Sequence, residues 1–200
     1  MSAVAARAWI ALVHHPVYDR DRRIITTAIT NLDIHDLARS SRTYGLAGYH
    51  LVTPIEAQRA LAERILGHWR SDEGVAMNDF RARALAPVSV HPSIADSACA
   101  VAAAAGAQPV TVATTARRRP GMIAPRTLVA EAATHARPLL LLFGTGWGLA
   151  DEVVDGVDHV LTPIRGSADY NHLSVRSAAA ILLDRLFGDG EEEKEAERSR

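Results

Sequence analysis

Leu139-Leu140-Leu141-Leu142-Phe143-Gly144-Thr145-Gly146-Trp147-Gly148-Leu149 is the stretch on which the fold turns. Its first half is a continuous apolar run of strand length. Such a run suits a central strand covered on both faces, as in a parallel sheet flanked by helices. Its second half puts three glycines into five residues directly after that strand. Glycines there let a ligand approach the backbone closely and permit positive φ. In open parallel sheets, ligands bind beyond the carboxyl ends of the strands. The G-x-G-x-G spacing, late in the chain, departs from the G-x-G-x-x-G dinucleotide fingerprint, which follows a first strand.

Outward from this segment, strands and helices alternate. Apolar runs predict strands over 9–13, 48–52, 88–90, 110–113 and 159–161, with a polar connection over 20–30 that holds a short extended piece at 24–29. Asp33 is read as the N-cap of a helix over 34–44, closed by Gly45. Thr53-Pro54-Ile55-Glu56 combines a capping threonine, proline at the first helical position and glutamate three residues after the cap, and opens a helix to 69. Further helices are expected over 79–85, from Ser93 to Gly106, over 125–136 and over 173–187. The alternation predicts an α/β fold: a mostly parallel sheet with helices on both faces. The 200 residues suit one domain, over 1–188. The segment 189–200, with its run Gly190-Glu191-Glu192-Glu193-Lys194-Glu195, reads as an acidic, disordered tail.

Composition limits the function. Apolar residues make up 48% of the chain, yet no apolar run approaches the ~20 residues that span a bilayer. A cytoplasmic protein is expected. The single cysteine, Cys99, rules out a disulfide framework within the chain and any multi-cysteine metal site, and reads as a small buried apolar residue. With 22 basic against 23 acidic residues, the net charge of −1 gives no global footprint for nucleic acid. The densest basic cluster, Arg117-Arg118-Arg119, is the expected contact for RNA phosphates. Asp33, His35 and Asp36 hold ligand chemistry, but no further cluster completes a metal site. His14-His15 reads as a partly exposed structural pair at the end of the first strand. Tyr18 and Tyr170 are candidates to stack on a base.

Together these segments resemble the SPOUT (SpoU–TrmD) methyltransferases, and more narrowly a small bacterial group of SAM-dependent RNA methyltransferases. Thr26-Thr27-Ala28-Ile29-Thr30-Asn31-Leu32-Asp33-Ile34-His35-Asp36-Leu37-Ala38-Arg39 is similar to that group's opening. Asp33, Arg39 and Gly45 stand where the SpoU branch has asparagine, arginine and glycine at six-residue spacing. Phe143 to Leu149 resembles the branch's second motif without its glutamate. His172-Leu173-Ser174-Val175-Arg176-Ser177-Ala178 fills the place of its third, with Ser174 for asparagine and Arg176 for serine.

The resemblance implies a deep trefoil knot in the C-terminal part and S-adenosyl-L-methionine held by three loops. Their positions here are Ala113 and Thr114 in the first loop, Gly144 and Gly148 in the second, and Thr162, Ile164, His172 and Leu173 in the third. It further implies an RNA substrate, either tRNA or rRNA, with Arg39, Asp33 and Asn31 as catalytic candidates. Arginine normally stays protonated, so Arg39 suits phosphate binding or lowering a hydroxyl's pKa. A carboxylate such as Asp33 or Asp36 would suit a base nitrogen as acceptor. Homodimerisation near the knot is also implied; the stripe Ala179, Leu182, Leu183 and Leu186 suits either that contact or packing on its own sheet. Two other readings remain at this point: a non-catalytic SAM- and RNA-binding regulator, and a nucleotide-dependent oxidoreductase.

Overall fold

The computed structural model describes residues 2–167 and 170–188; the acidic run expected as a tail lies outside the described residues. Six strands form one fully parallel sheet: β1 (Ala8–Val13), β4 (Gly48–Val52), β5 (Val88–His91), β6 (Val110–Ala113), β7 (Leu139–Gly144) and β8 (His159–Val160). Their order is β5-β4-β1-β7-β6-β8. A small antiparallel ribbon joins β2 (Val17–Tyr18) to β3 (Ile24–Ile25), shorter than the extended piece expected over 24–29.

Residue parity divides the core. Side chains alternate across a strand, so Ile10, Leu12, Leu139, Leu141 and Phe143 face one side of the sheet. They pack against α1 (Asn31–Thr43), α2 (Glu56–Arg70), α6 (Pro125–Ala133) and α8 (Val175–Phe187). Ala11, Val13, Leu140 and Leu142 face the other side. They meet α5 (Ile94–Ala105) and α7 (Asp151–Asp155). The short helices α3 (Asp72–Met77) and α4 (Asp79–Leu85) complete the α2 side. The continuous apolar run of β7 is thus used on both faces, between β1 and β6.

Several boundaries move for local reasons. Helix α1 starts earlier than expected: Thr30, not Asp33, is its N-cap, and its Oγ1 accepts from the Asp33 N–H at 3.2 Å. Asp33 sits three residues past the cap, as in a capping box. Helix α2 starts at Glu56 without a side-chain cap; Thr53 Oγ1 only accepts from Ile55 N at 3.4 Å. Ser93 and Gly106 cap α5 as read, with Gly106 at φ 72°. Cys99 is exposed on α5, a correction to its expected burial: the small residues around it are alanines that leave this face of the helix open. His14 is wholly buried rather than partly exposed. Of the two readings of the stripe Ala179, Leu182, Leu183 and Leu186, packing on its own sheet is the one found: all four are buried in the core and offer no surface to a second copy.

One feature of the chain path concerns β8. On one flank it pairs with β6, and Leu161 N donates to Ala113 O at 2.9 Å. On its other flank lies Ile123, from the same connection that leaves β6: Ile123 N donates to Val160 O and Thr162 N to Ile123 O, both at 2.9 Å.

Candidate functional site

Beyond the carboxyl ends of β6 and β7 the chain forms a cleft of about 660 Å³. That volume is in the range of small-molecule and cofactor sites. Three loops build it. The first, after β6, gives Thr114, Thr115 and Ala116; the second, after β7, gives Thr145 to Gly148; the third gives Ile164 and Asn171 to Ser174. Phe143, Leu173 and Leu182 supply apolar wall, and Thr27, Ala28, Asp33 and Arg176 close the side facing α1.

The second loop is held in place by the β2–β3 ribbon. Tyr18 N donates to Gly148 O and Trp147 N to Tyr18 O, both at 2.9 Å. Gly144 has no room for a side chain: a Cβ there would lie 2.5 Å from Leu149 N. Gly148 has φ 98°, a conformation that favours glycine. The third loop is tied to the first by Asn171, whose Nδ2 donates to Ala116 O at 3.4 Å. At the mouth, His172 lies edge-on to both Trp147 and Tyr170, with ring centroids 5.7 and 5.4 Å apart.

A hydrogen-bonded chain leads from the floor of the cleft into the core. Thr145 Oγ1 donates to Val13 O at 3.1 Å, because a carbonyl only accepts. Thr27 Oγ1 lies 2.5 Å from Thr145 Oγ1 and so must donate to it. His14 Nδ1, 3.0 Å from Thr27 Oγ1, must then carry the proton. This leaves Nε2 of His14 as a bare acceptor, buried and without a partner. Burial pushes the His14 pKa down to about 4, against an upward pull from Asp33.

Asp33 is the buried carboxylate of the site, 5% exposed. Its Oδ2 accepts from Thr30 Oγ1 at 2.6 Å, and its Oδ1 accepts from Arg176 at 2.8 Å. Arg176 also lies 3.3 Å from Asp36. Because Thr30 caps the helix, the Asp33 carboxylate is released to face the cleft.

Of the residues singled out in the sequence, Thr114, Gly144, Gly148, Ile164, His172, Leu173 and Asp33 line the cleft. Ala113 is buried in β6 beneath it, and Thr162 is engaged with Ile123 through its backbone. Arg39 and Asn31 line a separate depression beside α1. Tyr18 is committed elsewhere: its ring carries Arg22 at 4.4 Å, and its hydroxyl accepts from Asp151 N at 3.1 Å. Arg119 is ion-paired with Asp151 and, at 2.5 Å, with Asp155, while Arg117 and Arg118 stay exposed. The triple-arginine cluster is therefore divided, and the carboxylates of α7 compete with phosphate for Arg119. Sequence reasoning missed Thr27, Thr145, Trp147, Asn171 and Arg176. Arg176 lies 143 residues from Asp33, and no local signal announces that pair. Among the described residues no group of three or more His, Cys, Asp or Glu side chains is placed to hold a metal.

Residues 7–188 match a protein family described as SAM-dependent RNA methyltransferase. The chain is 44% identical over 181 residues to a tRNA (guanine-N(1)-)-methyltransferase of Nitratidesulfovibrio vulgaris, covering 90% of this chain but 42% of that protein. It is 38% identical over 179 residues to an uncharacterized protein of Aquifex aeolicus, covering 90% of this chain and 87% of that one. This chain thus spans about two fifths of the length of the tRNA methyltransferase it resembles. Among solved structures, a probable methyltransferase from Bordetella pertussis shares the fold, with a TM-score of 0.62 at 18% identity over 93% of this chain and 97% of that one.

Proposed function

Because the chain belongs to the SAM-dependent RNA methyltransferase family, we propose that it methylates a base nitrogen of tRNA, N1 of a guanine, with Asp33 as the group that takes the displaced proton. The observation that carries this reading is the buried Asp33 carboxylate, fixed by Thr30 and Arg176, in the wall of a three-loop cleft. The name of the relative from Nitratidesulfovibrio vulgaris supports the choice of atom.

The cleft fits the cofactor in size and in chemistry. It mixes backbone of three loops with apolar wall, and Gly148 leaves open space where a side chain would project. The residues that hold S-adenosyl-L-methionine are Thr114, Gly144, Gly148, Ile164, His172 and Leu173, with Ala113 and Thr162 shaping the loops from beneath. When bound, the cofactor supplies a methyl group on a sulfonium, already activated toward an in-line nucleophile. N1 of guanine carries a proton that must leave as the new N–C bond forms. Asp33 accepts that proton, and Arg176, bonded to its Oδ1, holds the carboxylate in place. Trp147, His172 and Tyr170 offer ring faces to the target base at the mouth. Arg39 and Asn31 act from the neighbouring depression on the RNA rather than on the reacting atoms.

Three wider expectations belong to this reading. The position of β8, between β6 and a residue of the connection leaving β6, supports a chain threaded through its own loop, the deep trefoil knot. The homodimer expected near the knot region uses surface other than the stripe of α8, which is buried in its own chain. The setting is the cytoplasm, where tRNA is available; among the described residues no helix is long and apolar enough to cross a membrane.

The test is transfer of a labelled methyl group to tRNA transcripts, with nucleoside mass spectrometry of the product. We expect 1-methylguanosine. Asp33→Asn should lower the transfer rate about 10²–10⁴-fold, the usual worth of a positioned base. Its affinity for S-adenosylhomocysteine, by calorimetry, should stay within a few-fold of the parent. Methyl transfer to a ribose oxygen, or a fully active Asp33→Asn, would remove the assignment. Binding of S-adenosylhomocysteine without methyl transfer to any RNA would instead favour a regulator.

A further inference from the structure

Beside α1 lies a second depression, of about 550 Å³. Its rim carries Arg39 from α1, Arg64 from α2 and Arg81 from α4, with His35 and His68 between them. Among the described residues no carboxylate lies within ion-pairing distance of Arg39, Arg64 or Arg81. Asp36, the acidic residue on this rim, is turned toward Arg176 at 3.3 Å. In a chain of net charge −1, three uncompensated guanidinium groups around one hollow are a local reversal of sign. Arg22, Arg23 and Arg119, by contrast, each have a carboxylate partner.

Two further observations point to a ligand that carries both phosphates and bases. His35 lines the hollow with its Nδ1 buried and without a hydrogen-bond partner. Its pKa is lowered by burial and by Arg81 and Arg39, against an upward pull from Asp36, which places both arginines close enough to repel a second positive charge. Next to Arg81 in the chain, Phe80 is 82% exposed, and Leu32 on the rim is 59% exposed. Trp69 forms the floor beneath Arg81, whose guanidinium lies 4.9 Å from the ring centroid. Guanidinium groups with exposed apolar surface beside them suit unpaired RNA, whose phosphates are held while its splayed bases meet that surface.

We propose that the Arg39–Arg64–Arg81 hollow is a second RNA-binding site, which holds phosphodiester groups of an unpaired tRNA loop next to the methylation cleft. The placement fits. Asp33 lines the cleft and Asp36 lines the hollow, one turn of α1 apart, with Arg176 bonded to both. Three residues of α-helix span about 4.5 Å, so one short run of nucleotides can reach both sites. The hollow replaces the divided Arg117–Arg119 cluster as the main phosphate contact. This inference rests on the proposed function, since it takes RNA as the substrate.

The experiment uses the full chain and a tRNA transcript that the parent protein methylates. Arg64→Gln, Arg81→Gln and the double variant are compared with Arg83→Gln, a control on α4 outside the hollow. Equilibrium binding is measured across a salt series, with oligomeric state followed by sedimentation. The double variant should bind the transcript at least 10-fold more weakly. Its slope of log affinity against log salt should fall by about 1.4, two single-strand phosphate contacts at ~0.7 each. Its affinity for S-adenosylhomocysteine should be unchanged. Arg64→Gln, which replaces an exposed side chain, should show part of the loss even if Arg81→Gln weakens packing on Trp69. Unchanged RNA affinity in the double variant, or a loss equal to that of Arg83→Gln, overturns the proposal. So does a change of oligomeric state with RNA affinity intact, which would make the hollow a contact between copies of the chain. If the parent protein neither binds nor methylates any transcript, the proposed function fails first.

Discussion

Lowering the pH from 7.5 to 5 should cost the fold on the order of 4 kcal/mol of stability, well above the pH at which its carboxylates protonate. Two buried histidines set this figure. Burial pushes His14 down to about 4, and burial together with His91 pushes His50 down to about 3, from an ordinary 6.5. Both are sealed from water. His50 Nδ1 is bonded to Ser97 Oγ at 2.8 Å, and its ring lies 4.4 Å from that of His91. The unfolded chain binds protons at both sites below about 6.5, whereas the folded chain does not until it nears its own lower values. Their contribution is therefore fully present above 6.5 and is lost as the pH falls toward 4. At one pKa unit per about 1.4 kcal/mol, each histidine gives up about 2 kcal/mol by pH 5. A total stability of about 5–15 kcal/mol is usual for a domain, so the loss is a large share. Urea titrations at the two pH values measure it, and His50→Gln should remove about half of the difference. A loss below 1 kcal/mol in the parent would mean that these rings are hydrated or already charged in the folded protein.

Gly144→Ala should abolish cofactor binding. Its Cβ would stand 2.5 Å from Leu149 N and 2.9 Å from Gly148 C, both backbone atoms of the loop that forms the cleft. No side-chain rotation relieves that contact, so the loop from Thr145 to Gly148 must move. It is also bonded at Val13 and Tyr18, and either the loop geometry or those bonds must yield. We expect affinity for S-adenosylhomocysteine to fall at least 100-fold, about 2.7 kcal/mol, with a lowered melting temperature. Gly166→Ala is the comparison: it has open space around its Cβ, lies in the third loop and should bind as the parent does. Equal binding by both variants would show that the second loop is not part of the cofactor site.

Much of this architecture is written locally. The run Leu139 to Phe143 could not be placed on a one-sided sheet, and its parity matches the two cores found on either side of β7. Ser93 and Gly106 marked the ends of α5 through capping chemistry that acts within four residues. The start of α1 was misplaced because Asp33 and Thr30 are both good caps, and the choice depends on Arg176 claiming the aspartate. The cleft itself was legible only in its glycines and loop positions. What it contains besides them, the Thr145–Thr27–His14 chain and the Asp33–Arg176 pair, joins residues more than a hundred positions apart, except for Thr27 and His14. Likewise, Arg39, Arg64 and Arg81 sit on three different helices, and periodicity in each helix carries no information about the others.

The flanks of β8 and β5 bear on how this protein meets its own copies at high concentration. A fibril grows where a border strand offers free rungs to an incoming chain. At one border, the backbone at Ile123 already takes the rungs of β8. At the other, the Arg70 guanidinium donates to Val88 O of β5, the carbonyl where a new strand would begin to pair. The rungs of β8 are thus taken by the protein's own backbone, and the first outward carbonyl of β5 by its own arginine.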